Sequence, residues 1–129
     1  MSLKYKKVRQ AVADADGKQR EIHYARACKR RRVKLDEVAE HIAGYTTLSR
    51  GEVHSVLIAL TDSIPGYLLD NQSVELGDLG TLSLHFTSHS EETEEAVTWR
   101  SIKDLKVQFR AGVRFKKMLK HASFKLVKE

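Results

Sequence analysis

The chain has 129 residues, 41% of them apolar and 31% charged, and a formal net charge of +6. No apolar run approaches the roughly 20 residues of a membrane helix, and the N-terminus shows charge without the apolar core of a secretory signal. The single Cys28 excludes an internal disulfide. These features predict one modest globular domain with an extension, in a reducing compartment, with the cytoplasm as the default.

The layout of charge says more than its total. Residues 1–32 hold eleven Lys/Arg against three Asp/Glu, residues 33–102 hold three against twelve, and residues 103–129 hold nine against two. Two basic ends flank an acidic middle. The ends would meet a polyanion such as nucleic acid; the opposite segments could also neutralise one another within the fold.

From Leu3 to Gln10, Tyr5 and Val8 mix with Lys4, Lys6, Lys7 and Arg9, and Arg20 to Ala27 carries Ile22 and Tyr24. Asp14-Ala15-Asp16-Gly17 between them is a turn signal, so the first segment reads as a β-hairpin. Lys29-Arg30-Arg31-Arg32 follows, a run suited either to gripping phosphates or to a solvated linker. Leu35, Val38, Ala39 and Ile42 share one helical face, with Asp36 and Glu37 placed well for the helix dipole and Gly44 as the stop. Ser49 and Glu52 then form a capping-box pattern ahead of a second apolar stripe from Val53 to Leu68. Pro65 falls inside that stripe and is expected to kink the helix or split it near Ser63.

Ser73 to Phe86 alternates apolar and polar residues on both sides of Gly77-Asp78-Leu79-Gly80, the pattern of a hairpin with one buried face. A return strand follows, in which Leu105, Val107 and Phe109 alternate with Lys106, Gln108 and Arg110. A last helix groups Phe115, Met118 and Leu119, with Arg114, Lys116, Lys117 and Lys120 outside. Phe124 to Val127 predicts a final strand or a docked tail.

The order Leu-x-x-Val-Ala-x-x-Ile-Ala, Leu-Ser-x-x-x-Val, a long helix and Val-x-Leu-Gly-x-Leu-Gly-Thr-Leu resembles the HU/IHF family of bacterial histone-like DNA-binding proteins. The block Val107 to Lys116 is similar to that family's return strand, turn and final helix. The resemblance covers Val33 to about Lys120, and the basic N-terminal extension looks like the longer HU-like variant. It implies an α+β, IHF-like fold: helices packed on an antiparallel β-sheet, a C-terminal helix, and a compact homodimer whose β-ribbon arms bend double-stranded DNA with an apolar wedge. The expected division is a basic β-hairpin extension over residues 1–32 and an HU/IHF-like domain over residues 33–129.

The arm itself departs from the family. Between Phe86 and Lys103 stand Glu91, Glu92, Glu94 and Glu95 against one Arg100, with no proline, and the segment is short for two arm strands. Carboxylates facing phosphates are repelled, so wedge insertion does not carry over. Trp99 is expected to cover the sheet beside Phe86 or Phe109 in preference to stacking or inserting.

Nothing points to catalysis. The six histidines are scattered, one cysteine offers no zinc pattern, and no phosphate loop or nucleophile elbow is present. No cofactor, metal or enzymatic activity is expected. The reading is a sequence-tolerant, nucleoid-associated DNA-binding protein. Its phosphate contacts are assigned to Lys103, Lys106, Arg110, Arg114 and Lys116, to Arg30, Arg31 and Arg32, and to Arg100, with backbone amides near Gly80 adding to them. The rival reading is a protein-interaction module on the same fold, with Glu91, Glu92, Glu94 and Glu95 meeting a basic protein partner.

Overall fold

The computed structural model describes residues 1–128 and is mixed α+β. The chain divides into two compact units, one formed by Met1–Val33 with the C-terminal segment from Lys120 on, the other by Lys34–Leu119.

In the first unit, β1 (Leu3–Ala13) and β2 (Gln19–Ala27) form the expected antiparallel hairpin, in register from Tyr5 opposite Ala27 to Ala13 opposite Gln19. Asp14 builds its turn: the carboxylate Oδ1 accepts from the amides of Asp16 and Lys18 at 3.1 and 3.0 Å, while Gly17 supplies a φ of 77°. A two-stranded hairpin is marginal in water. Here the chain's end completes it, as β6 (Phe124–Leu126) pairs parallel with β1 and gives a three-stranded sheet in the order β2-β1-β6.

In the second unit, α1 (Leu35–Ala43) and α2 (Arg50–Leu69) pack together, and β3 (Val74–Glu75), β4 (Gly80–Ser88) and β5 (Ile102–Ala111) form an antiparallel sheet in that order. The helix α3 (Val113–Leu119) ends the unit. The capping box forms as read: the Ser49 hydroxyl accepts from the Glu52 amide, and the Glu52 carboxylate accepts from the Ser49 amide, both at 3.2 Å. Ala39, Val53 and Leu68 are the buried apolar residues of the described chain.

Three expectations need correction or narrowing. Of the two outcomes expected at Pro65, a kink or a split, the split is excluded, because α2 runs unbroken from Arg50 to Leu69. Near the proline, the hydroxyls of Thr61 and Ser63 donate back to the carbonyls of Leu57 and Leu60, bonds that cost a helix little. Trp99 covers nothing; it is 76% exposed. It opens the short 3-10 turn Trp99–Ser101, with the Arg100 guanidinium 5.3 Å from its ring centroid. Met118 and Leu119 are not covered within one chain, and only Phe115 of the last helix is half-buried.

Candidate nucleic-acid interface

The basic strand β5 owes its arrangement to one residue. His85 lies opposite Lys106 but Thr87 lies opposite Lys103, so β5 holds one residue more than β4 across this interval. The extra residue makes a β-bulge. Asp104 occupies the left-handed region with φ 54°, and its Oδ2 accepts from the Thr87 hydroxyl at 3.1 Å. Simple alternation would place Lys103 on the face opposite Lys106. The bulge restores it, so Lys103, Lys106 and Arg110 share a face with Thr87, His85 and Thr81.

That face carries acid as well as base. Glu75 lies opposite Thr81 at the β3 edge, and Asp104 stands at the bulge. On the other face, Leu82 lies opposite Phe109 and Leu84 opposite Val107.

At the end of β5 the chain turns tightly into α3. Gly112 donates its amide to the Leu79 carbonyl at 3.0 Å, and a Cβ at Gly112 would fall on the Asp78 carbonyl oxygen. Gly80 has φ 148° and is buried, and a Cβ there would overlap the Arg110 carbonyl and the Phe109 ring. Its place in the fold is close packing of β4 on β5. Around this junction lies an open recess of about 540 Å³, lined among others by Arg110, Arg114 and Lys117. Arg114 donates from Nη1 to Asp78 Oδ2 at 3.0 Å. Both side chains are well exposed, so the pair is weak and open to exchange with a phosphate. Lys117, expected on the outside of the last helix but not among the assigned phosphate contacts, joins Arg114 at this recess through its i, i+3 relation on α3. Lys116 is exposed on the same helix.

The remaining predicted residues lie elsewhere. Arg30, Arg31 and Arg32 fall in the segment between β2 and α1, all exposed. Arg100 sits beyond the far end of the β4–β5 ribbon, beside Trp99. No extended arm grows from that end. The ladder closes at Ser88 opposite Ile102, and residues 89–101 form a capped loop. There the His89 amide donates to the Ser101 carbonyl at 2.7 Å, and the buried Ser101 hydroxyl donates to Glu91 Oε1 at 3.0 Å. Glu91 thus helps to fasten the loop, while Glu92, Glu94 and Glu95 are exposed.

Among the described residues no group of His, Cys, Asp or Glu is placed to hold a metal ion, and no helix is long and apolar enough to cross a membrane.

A two-helix, three-stranded body that ends in a basic strand and helix, with a basic sheet as a separate unit, defines a class of small α+β protein with basic surfaces. The family model HU-HIG, described as an HU domain fused to wHTH, Ig or glycine-rich motif, matches residues 1–126, and the chain belongs to that family. Among solved structures, the chain is similar to a Bacteroides vulgatus ATCC 8482 protein whose description assigns it provisionally to bacterial DNA-binding proteins. The TM-score is 0.65 at 13% identity, over 99% of this chain and 49% of that one. The likeness is one of fold, and this chain spans about half the length of that relative. Among curated proteins, none matches.

Proposed function

We propose that the protein binds double-stranded DNA with little sequence preference, as a histone-like, nucleoid-associated homodimer in the cytoplasm. The observation that carries this reading is the bulge at Asp104, which gathers Lys103, Lys106 and Arg110 on one face of the sheet. With membership of the HU-HIG family, that row is best understood as a phosphate-contacting strand. Arg114, Lys116 and Lys117 extend it at the start of α3, and Arg30, Arg31 and Arg32 add charge from the connecting segment. Arg100 has a lesser share, since it closes the same loop that carries Glu91, Glu92, Glu94 and Glu95. Phosphate contacts fix position without reading bases, so binding is set by charge and DNA shape. Wedge-driven kinking is no part of the proposal, since the loop at residues 89–101 is short, acidic and without proline.

The homodimer is supported by α2. Val53 and Leu68 are buried, yet Val56, Ile58, Leu60, Tyr67 and Leu69 of the same helix are exposed. A helix apolar on several sides belongs inside a core. Leu105, Val107 and Phe109, 49–62% exposed, present a second uncovered apolar surface on the sheet. An apolar groove of about 450 Å³ joins the two, lined by Ile64, Pro65, Leu68, Leu69, Leu84, Leu105 and Val107 among others. A second copy of the same helix and sheet would fill it.

A mobility-shift titration on a duplex of unremarkable sequence tests the reading. Neutralising about eight phosphates gives a log–log salt slope of about −7, and a mass near twice 14.7 kDa is expected in solution. The absence of any shift at low salt would sink the DNA reading, and a monomeric mass would remove the dimer.

A further inference from the structure

The basic strand of the second unit is not where the chain's positive charge is concentrated. The first unit holds fourteen Lys/Arg against four Asp/Glu, a net of +10, while the second holds nine against thirteen, a net of −4. Strand register sorts the first unit's charge further. On one face of the sheet lie Lys4, Lys6, Val8, Gln10 and Val12 of β1, Arg20, Ile22, Tyr24 and Arg26 of β2, and Lys125 of β6. These strand positions include five cations and no carboxylate. The one acidic residue in the three strands, Glu21, is on the opposite face beside Arg9, 3.9 Å away.

Within that face the cations are set directly against one another. Lys4 is paired with Lys125, and on the next same-face rung Lys6 is paired with Arg26. Like charges directly opposite on neighbouring strands destabilise a sheet, as Lys4 and Lys125 are placed here. A polyanion laid across them would turn that repulsion into attraction. Tyr24, 41% exposed, stands beside the cluster, opposite Val8. Val8, Val12 and Ile22 are half-buried, so this face offers little open apolar surface to a lipid. Apart from Tyr24, the large exposed apolar residues of the unit's strands, Leu3 and Phe124, belong to the other face.

We propose that the face bearing Lys4, Arg26 and Lys125 is a second duplex-DNA surface, and electrostatically the stronger of the two. The inference rests on the reading of the chain as a DNA-binding protein and adds a site separate from β5. Its chemistry is phosphate contact by side chains on a rigid sheet, with the Tyr24 ring against the sugar edge.

The full-length chain carrying Lys4→Gln, Arg26→Gln and Lys125→Gln is compared with the unsubstituted chain on the same duplex. A control carries Lys7→Gln and Arg9→Gln on the opposite face. Loss of three phosphate contacts makes the salt slope shallower by about 3 and weakens binding roughly 100-fold near 0.1 M salt; the control changes the slope by less than about 1. The triple variant should melt no lower than the parent at low salt, because it relieves the Lys4–Lys125 like-charge pair. If it fails to fold, Lys4→Gln with Lys125→Gln alone should lower the slope by about 2. An unchanged slope in a folded variant overturns this surface while leaving the β5 reading intact, whereas no binding by the parent chain removes both. Loss of retention on phosphatidylserine vesicles with DNA affinity unchanged would reassign the face to lipid.

Discussion

The two units of this chain differ in what holds them together and in the charge they carry. Lys34–Leu119 has the buried apolar residues, the capped helices and an excess of acid. The first unit has the excess of base and, among the described residues, no fully buried side chain. Backbone ladders and the Asp14 turn hold its sheet together. A body obliged to pack a helix apolar on several sides gains from a surface that favours self-association. A strongly basic body would resist it, since like charges repel at short range. On the proposed reading, segregating base onto a separate sheet would set association apart from polyanion attraction.

The severest way to challenge that division is to break one unit and watch the other. Gly80→Val puts a branched side chain where even a Cβ would overlap the Arg110 carbonyl and the Phe109 ring, at φ 148°. The expected cost is about 3 kcal/mol or more, enough to open β4–β5. Amide hydrogen exchange should then lose protection along β4 and β5 while β1 and β2 keep theirs. Simultaneous loss in both sheets would mean that the units fold as one, and the division would be of charge alone.

A milder change sharpens the comparison at the bulge. Asp104→Val removes a residue that tolerates the left-handed region and the bond its carboxylate accepts from Thr87. Strain of about 1–2 kcal/mol is expected, with β5 slipping toward regular alternation. That slip would carry Lys103 to the apolar face. Salt dependence of DNA binding should then fall by about one contact, measured in the same titration, with protection in β1–β2 unaltered.

Much of the second unit could be read from local pattern. The α1 stripe, the capping box, the glycine turn and the alternation of β5 each rest on residues within a few positions of one another. What could not be read depends on distance or on register. Parallel pairing of β6 with β1 joins the two ends of the chain, and a strand of three residues carries no signal of its partner. Lys103 shares a face with Lys106 only because of a bulge that period-two reasoning cannot see. Trp99 was misjudged because a large aromatic is usually covered, whereas here a tight 3-10 turn beside Arg100 leaves it open. The cross-strand cation pairs of the first unit became visible only once register was fixed: Lys6 and Arg26 are twenty positions apart.

The smallest expected effect lies at the start of α2 and follows the same logic. Ser49→Ala removes the hydroxyl that accepts from the Glu52 amide, at a cost of about 1 kcal/mol. The carboxyl of Glu52 is held below the ordinary carboxylate value of 4.5, first by its hydrogen bond with the Ser49 side chain and then by the bond it accepts from the Ser49 backbone. A depressed folded-state value means the ionised group stabilises the fold above about pH 4.5. That contribution is lost as pH falls through the folded value. The melting advantage of the parent over Glu52→Gln should therefore be present at pH 7 and shrink below pH 4.5. Exchange protection should record it in α2 and leave β1–β2 unmoved, because the capping box and its charge belong wholly to the second unit.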